Sequence, residues 1–485
     1  MNQFKNYFFQ SFIIIVLSIV SFIVFKQFLP RKLFSETTKE IKNVVVDSLL
    51  LEAIQKEETQ DEIQIVQPKK IVYAQSDGVT FPTETYDTYK GYQYLIAFFE
   101  KLLLLETENK GKVRIAYFGD SMTDGDMIVK DFRANFQDKF GGEGVGFVNI
   151  TSESAASRSS VKHEFSENWK TQSYLNIKNP KIPFGVNGHV FFTKDTIKPT
   201  WVKYKAGSGR YLTSLNNPVL FYGRSKNKNG VIKVYTGGDT LVKKLQPVEK
   251  LNTMPLGIGD LKSFKAEFVN TDSIPFYGFN FDSGKGVHVD NFSNRGNSGL
   301  PIATFDVGMM KEFQEKLGYD LIILHYGTNV LNYGSYNYSW YEKRMAKVVR
   351  HLKECFPGVS VLVVSTADKA TKYEMEMKTD SAVVPLIQAQ KKYAVNSEAA
   401  FVNIFTLMGG DGSMTRWVEE VPASANKDYT HFNFRGAKKI SDFIFNHINE
   451  GYEQFKKLKK QQTAAFKKVV KKDSVVIKKD TIYAE

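Results

Sequence analysis

The chain has 485 residues, a formal net charge of +13 and a single cysteine. This length exceeds what one hydrophobic core normally supports, so we expect two domains with flanking tails. One cysteine excludes a disulfide within the chain and leaves the redox compartment open.

An uncharged stretch near the amino terminus, 6–25, lies between Lys5 and Lys26 and is dominated by Phe, Ile, Val and Leu. Twenty residues at about 1.5 Å each form a helix of roughly 30 Å, enough to span a bilayer. No small-x-small cleavage motif follows, so we interpret the stretch as a transmembrane signal anchor. Lys26, Arg31 and Lys32 on its distal side argue against export, but large domains translocate with little regard for such charges.

The next segment, 33–85, is predicted to be a polar, partly helical linker or stalk. Helical apolar spacing follows at 89–105, on a stripe formed by Tyr94, Phe98, Leu102 and Leu105. We expect this helix to pack on an α/β domain whose first part spans 86–150.

A buried strand is predicted at 115–118, an apolar run with aromatic residues that stops at Gly119-Asp120-Ser121. Glycine permits a sharp turn there, and a helical pattern begins near Asp126. The serine therefore lies at the carboxyl end of a strand, where ligands of open α/β sheets bind. The segment alone leaves two interpretations open: a reactive serine, or a serine that caps the helix.

The region 151–290 carries short alternating runs, such as 231–235 and 264–269, separated by turn clusters at 227–230 and 236–239. This pattern is typical of an all-β sandwich. We therefore predict a β domain inserted into the α/β domain, which resumes at 291–450.

Two further elements combine glycine with asparagine. A buried strand at 321–326 is followed by Asn329, which either donates its side-chain amide to a developing oxyanion or stabilises a turn. The segment 291–299 carries Gly296 and Gly299, which either bring backbone N–H groups close to a reacting carbonyl or form a tight turn.

His431 is the one histidine of seven with a carboxylate, Asp428, three residues before it. A serine hydroxyl is a poor nucleophile until a base takes its proton, so a reactive serine requires such a histidine with an orienting partner. A spacing of three on a loop lets Asp428 reach Nδ1 of His431 and leaves Nε2 facing the serine. The alternative is a helix-capping aspartate beside a surface histidine.

Four blocks in this order resemble the SGNH (GDSL) hydrolase superfamily. The resemblance implies Ser121 as nucleophile, His431 as general base and Asp428 as the residue that orients the base. It implies no metal and no other cofactor. The blocks are Gly119-Asp120-Ser121, the Gly296/Gly299 segment, Gly327-Thr328-Asn329 and Asp428-Tyr429-Thr430-His431.

The resemblance also implies an oxyanion hole that includes the Ser121 backbone N–H and the Asn329 side-chain amide. A glycine of the second block completes it; the spacing Asn-x-Gly-x-x-Gly favours Gly299, and Gly296 stays open. Two positions depart from the residues usual in the family without removing a catalytic atom: Met122 and Val330.

Ser121 and Asn329 are 208 residues apart, much farther than is usual in this superfamily. The layout is similar to the peptidoglycan O-acetylesterase branch, in which a carbohydrate-binding-like jelly roll interrupts the hydrolase domain. It implies a flavodoxin-like three-layer α/β/α fold with an inserted β sandwich. Aromatic side chains of the insert then either stack on sugar rings or fill its core; both interpretations stay open for Trp169, Trp201, Tyr204 and Tyr222.

The resemblance implies a membrane-anchored serine esterase that removes O-acetyl groups from a cell-wall or extracellular polysaccharide such as peptidoglycan. Two alternatives stay open: a polysaccharide O-acetyltransferase with the same triad, and a non-catalytic glycan-binding protein. We expect an acylated polysaccharide as the partner. The catalytic domain is expected on the periplasmic side of a bacterial inner membrane.

The C-terminal tail, 451–485, is strongly basic, with ten lysines against two aspartates over 456–480. Nucleic-acid binding is not expected, because the charge is confined to a tail and no recognition motif accompanies it. Contact with an anionic polymer or a membrane surface fits the charge better. A solvated, frayed helix is the remaining interpretation.

Overall fold

The structure, a computed structural model, divides the chain into two units, 1–44 and 45–485. It describes residues 12–13, 16–18, 47–57, 70–76, 78–194, 198–257, 259–331 and 337–480. Residues 12–13 and 16–18 of the predicted anchor are helical. Outside the described residues lie the rest of that anchor, much of the predicted linker and 481–485 of the predicted tail. No helix among the described residues is long and apolar enough to cross a membrane.

A five-stranded parallel sheet, the central sheet, organises the second unit. Numbered along the chain, its strands lie in the order 2-1-3-4-5, the order of flavodoxin-like doubly wound folds. Their residues are almost all buried, as expected for parallel strands covered on both faces. In sheet order the strands are Gly286–Asn291, Lys112–Gly119, Tyr319–His325, Ser360–Val364 and Ala400–Val402.

The longer helices pack in two groups, each with contacts among its own members. One group contains Ile96–Glu108, Val129–Phe140 and Phe434–Asp480, and the other contains Val307–Leu317, Ser339–Cys355 and Val383–Asn396. The helix predicted at 89–105 begins as a 3₁₀ turn and continues as Ile96–Glu108, with Phe98 and Leu102 buried as expected. Shorter helices are Ser48–Glu57, Thr328–Leu331, Ile404–Met408 and Ser413–Glu419, and the 3₁₀ turns are Tyr92–Leu95, Asp124–Asp126 and Leu300–Thr304.

Two antiparallel sheets form the inserted region, and their inward side chains share one hydrophobic cluster, so they pack face to face as a sandwich. The five-stranded sheet contains, in order, Thr240–Lys244, Val231–Tyr235, Ser263–Val269, Thr200–Ala206 and Val161–Phe165. The six-stranded sheet contains Leu251–Pro255, Val219–Gly223, Phe276–Phe281, His189–Thr193 and Trp169–Ser173, with Gly146–Val148 paired to Phe276–Phe281. Of the aromatic residues weighed for sugar stacking, the sandwich buries Trp169, Tyr204 and Tyr222 and leaves Trp201 half-buried.

The ends of the insert differ from the predicted boundaries at 151 and 290. Strand Gly286–Asn291 pairs with Lys112–Gly119, so the insert ends before 286. Strand Gly146–Val148 already pairs with an insert strand, so the β domain starts before 151. The backbone N–H of Val287 donates to the carbonyl oxygen of Gly141 at 2.9 Å, which places the entry and the exit of the insert side by side.

A fully buried guanidinium, that of Arg114, joins the central sheet to the insert. Its Nε and Nη2 donate to Asp290 at 2.7 and 2.9 Å, and its Nη1 donates to Asp282 at 2.6 Å. Asn280 accepts a further hydrogen bond from it. Burial raises the pKa of the Asp282 carboxyl, but the guanidinium outweighs this and holds that pKa well below its usual range. A buried positive charge is thus matched by buried carboxylates.

The described parts of the predicted stalk, 33–85, are folded against the rest of the second unit. Ala53 of helix Ser48–Glu57 and Phe81 are buried in the main hydrophobic cluster. Strand Lys70–Ile71 pairs with Glu84–Thr85. The stalk interpretation is therefore wrong for these residues, because several of their apolar side chains are buried in the core, although Leu51 and Val72 stay exposed.

The boundary predicted at 450 is also absent, because helix Phe434–Asp480 runs through it without a break. Tyr452 and Phe455 of the predicted tail are fully buried, with ring centroids 6.0 and 5.8 Å from that of Phe99. Lys456 pairs with Glu106 at 3.0 Å. The first residues of the predicted tail are therefore packed against helix Ile96–Glu108. The interpretation as a solvated, frayed helix is wrong for this part of the tail.

Candidate active site

Ser121 follows the buried strand Lys112–Gly119 in a tight turn. The Asp120 carbonyl accepts the N–H groups of Thr123 and Asp124, and its carboxylate accepts that of Met122. A Cβ on Gly119 would lie 2.1 Å from Thr123 Oγ1, so the strand has to end in glycine for this turn to close. The turn presents Ser121 at the carboxyl edge of the central sheet, as predicted.

The histidine loop, 426–433, holds Asp428 and His431. Asp428 Oδ1 accepts the backbone N–H groups of Thr430 and His431 at 3.0 and 2.9 Å. Tyr429 adopts a left-handed backbone conformation, with φ of 54°, and this turns the chain between Asp428 and His431. The helix that follows begins at Phe434, so the pair lies at the predicted loop-to-helix junction.

The structure brings Ser121, His431 and Asp428 together across 310 residues of sequence. Ser121 Oγ lies 3.1 Å from His431 Nε2, and His431 Nδ1 lies 2.9 Å from Asp428 Oδ2. Partial burial raises the pKa of Asp428, but hydrogen bonds from the side chain and backbone of His431 outweigh this and lower it to about 2. The carboxylate is therefore ionised at neutral pH and holds His431 as the tautomer whose Nε2 accepts a proton from a serine.

Asn329 lies in the short helix Thr328–Leu331, directly after strand Tyr319–His325, which pairs with the strand of Ser121. Gly327 precedes it with φ of 146°, and a Cβ there would lie 2.6 Å from Thr366 Cβ. Asn329 Nδ2 donates one hydrogen to the Asn297 carbonyl at 3.0 Å. Its second amide hydrogen remains for another acceptor.

The two glycines of the second block have different surroundings. The backbone N–H of Gly299 donates to Asn297 Oδ1 at 2.9 Å, so this donor is already used. Gly296, with φ of 77°, lies two residues after Asn294, whose own N–H donates to the Gly119 carbonyl at 3.0 Å. Within the described part of the chain, the backbone N–H groups of Gly296 and Ser121 have no acceptor.

Two residues that support this site were not singled out from the sequence. Asn297 anchors both Gly299 and Asn329. Asp47 caps helix Ser48–Glu57 through Oδ1, and its Oδ2 accepts both the backbone N–H and the hydroxyl of Ser298. An aspartate before an apolar run is a recognisable helix start, but nothing local shows that it contacts a loop 251 residues away. No cluster of potential metal ligands occurs among the described residues.

No family model matches the chain, and no curated protein matches it. Among solved structures, a peptidoglycan O-acetylesterase superposes with a TM-score of 0.61 and 19% identity, covering 74% of this chain and 96% of that chain. The chain has the SGNH hydrolase fold. Looser superpositions include a family two carbohydrate esterase from Cellvibrio japonicus (TM-score 0.26, 10% identity, covering 61% of this chain and 98% of that chain). Another is a GDSL-like lipase from Bacteroides thetaiotaomicron (TM-score 0.25, 18% identity, covering 33% and 76%).

Replacing Asp428 with asparagine tests whether its carboxylate orients His431 in this SGNH fold. Asparagine Oδ1 still accepts the backbone N–H of His431, so the loop should keep its shape. Its amide nitrogen faces Nδ1 and favours the wrong imidazole tautomer, so kcat on p-nitrophenyl acetate should fall on the order of 10³- to 10⁴-fold. An unchanged kcat would show that Asp428 only stabilises the loop.

Proposed function

We propose that the protein is a serine esterase that hydrolyses O-acetyl groups on a polysaccharide, with a peptidoglycan-like cell-wall polymer as substrate. The observation that carries the proposal is the 3.1 Å contact between Ser121 Oγ and His431 Nε2, with Asp428 behind the imidazole. The likeness to a peptidoglycan O-acetylesterase over 96% of that chain supports acetylated glycan as the substrate class.

The proposed reaction has two steps. Ser121 Oγ attacks the acetyl carbonyl while His431 Nε2 takes the serine proton, and the tetrahedral intermediate collapses as His431 returns that proton to the departing sugar hydroxyl. Water then attacks the acetyl-serine, with His431 again accepting and returning a proton. Acetate is released and Ser121 is regenerated, so each cycle consumes one water molecule and involves no change of oxidation state.

The oxyanion of both intermediates requires hydrogen-bond donors that are not otherwise engaged. We assign this role to the backbone N–H groups of Ser121 and Gly296 and to the second amide hydrogen of Asn329. Gly299 is the less suitable glycine, because its N–H already donates to Asn297.

Asn329→Ala should lower kcat about 10²- to 10³-fold on p-nitrophenyl acetate, since one preorganised donor to the oxyanion is lost. KM should change little, because the ground-state carbonyl depends less on that donor. The Asn297 carbonyl also loses a partner, so thermal unfolding should be recorded in parallel. A rise in KM at constant kcat would assign Asn329 to substrate binding instead.

The direct test measures acetate released from O-acetylated peptidoglycan and from a second O-acetylated polysaccharide. The purified second unit should release acetate, and a fluorophosphonate probe should label Ser121 and block the release. Acetylated glycan formed from an added acetyl donor, in place of free acetate, would indicate a transferase. Failure of both labelling and acetate release would leave only a binding function.

We also propose that 6–25 anchors the protein in the bacterial inner membrane, with the catalytic unit on the periplasmic side. The support is the uncharged twenty-residue stretch between Lys5 and Lys26. Protease added to spheroplasts should then digest the catalytic unit without lysis. Protection of that unit until lysis would place it on the cytoplasmic side.

A further inference from the structure

A polar cavity of about 240 Å³ lies where the insert meets two loops of the central sheet. One loop contributes Asp124, three residues after Ser121, and the other contributes Arg295, directly before Gly296. The insert supplies the opposite wall, which includes Thr151, Ser152, Thr171, Ser173, Asn176 and His189. The cavity therefore shares one loop with the proposed nucleophile and another with Gly296, and the triad residues do not line it.

Hydrogen bonds through Asp124 hold the two sides of the cavity together. Arg295 Nε donates to Asp124 Oδ2 at 2.7 Å, and Ser154 Oγ at the start of the insert donates to Asp124 Oδ1 at 2.8 Å. The two terminal nitrogens of Arg295 have no acceptor within the described residues, and its side chain is about half exposed. These nitrogens remain as donors to a ligand.

The chemistry of the lining matches a neutral, hydroxyl-rich ligand. Most lining side chains are hydroxyls and amides, and the positive charge of Arg295 is balanced by Asp124. His189 Nδ1 donates to the Asn187 carbonyl at 2.8 Å, which leaves Nε2 as an acceptor, and burial lowers the pKa of this imidazole to about 4. Glu153 adds a negative charge that disfavours anionic ligands and accepts hydroxyl donors.

We propose that this cavity is a saccharide subsite that holds the sugar ring next to the one whose acetyl group reacts at Ser121. The subsite rests on the proposed esterase function and deepens it. It makes the insert a direct contributor to substrate binding, and it implies that a polymer is preferred to a single acetylated sugar.

The test compares two substrates: a 6-O-acetylated tetramer of β-1,4-linked N-acetylglucosamine and the 6-O-acetylated monosaccharide. The unmodified protein should prefer the tetramer by about tenfold in kcat/KM, a factor that corresponds to about 1.4 kcal/mol. Thr171→Trp should remove the preference, because the exposed edge-strand Thr171 points into the cavity and an indole would occupy it. Thr171→Ser should retain it.

Lys170→Trp is the matched control, since Lys170 is the neighbouring exposed residue of the same strand and does not line the cavity. It should keep the tetramer preference. Equal tetramer preference in Thr171→Trp and in the unmodified protein would overturn the subsite and leave the esterase proposal standing. Absence of hydrolysis on both saccharides, with p-nitrophenyl acetate still cleaved, would overturn the saccharide substrate and the subsite together.

Discussion

Replacement of Ser121 by alanine is expected to reduce the hydrolysis of p-nitrophenyl acetate on the order of 10⁴-fold or more. The residual rate would come from the oxyanion donors and from substrate binding, which the substitution leaves in place. Because Ser121 Oγ has His431 Nε2 as its hydrogen-bond partner, and the turn is held by backbone groups of Asp120, the fold should be unaffected. Initial rates and the thermal midpoint of unfolding check the two parts of this expectation.

Ser157→Ala is a suitable control for the loss of a hydroxyl. Ser157 is exposed, and its Oγ bonds only to the Ser154 carbonyl among the described residues. This variant should keep full activity and the same thermal midpoint. Activity retained in Ser121→Ala would falsify the assignment of the nucleophile.

Replacement of Arg114 by methionine is expected to lower the free energy of unfolding by about 3–5 kcal/mol, as when one partner of a buried ion pair is removed. Methionine fills much of the space but leaves Asp290 buried without its counter-ion, and it leaves Asp282 with Lys112 at 3.6 Å as its cationic partner among the described residues. In the unmodified protein the depressed pKa of Asp282 contributes stability above its unfolded pKa, and that contribution is lost as the pH falls. At pH 4 this contribution is still almost complete, because the pKa of an aspartate in the unfolded chain is about 3.9. In the variant, burial is no longer outweighed by the guanidinium and raises the pKa of Asp282, so protonation relieves the buried charge as the pH falls. The deficit of the variant should be larger at pH 8 than at pH 4, as measured by urea unfolding.

Arg210→Met provides the matched comparison at the surface. Arg210 pairs with Asp138 at 2.9 Å, but its side chain is 69% exposed, so this change should lower the free energy of unfolding by less than about 1 kcal/mol. Equal deficits for the two variants would mean that the buried network contributes no more than an exposed pair.

The parts of the site with local sequence signals are the ones that could be predicted. A buried apolar run followed by glycine marks the strand before Ser121, and the three-residue spacing of Asp428 and His431 marks the loop. The spacing Asn-x-Gly-x-x-Gly favours Gly299 over Gly296, but no sequence pattern shows that Asn297 folds back onto the Gly299 N–H. That contact belongs to the tertiary structure.

The errors in the predicted domain organisation have a common physical cause. Polar composition indicated a stalk at 33–85 and a tail at 451–485, yet a few apolar residues in each are buried against distant elements. Tyr452, for example, contacts Phe99. The insert boundary was placed late because strand Gly286–Asn291 contains His288 and Asp290, buried polar residues that interrupt a hydrophobic pattern.

The adjacency of Gly141 and Val287 has a consequence for the order of folding. With the 145 residues between them unfolded, closing that loop to pair the first two strands of the central sheet would cost roughly 4 kcal/mol in chain entropy. A sandwich that folds first holds its two ends within hydrogen-bonding distance and removes most of this barrier. Pulse-labelled hydrogen exchange should then protect strand Phe276–Phe281 before Gly286–Asn291; the opposite order would mean that the hydrolase sheet nucleates on its own.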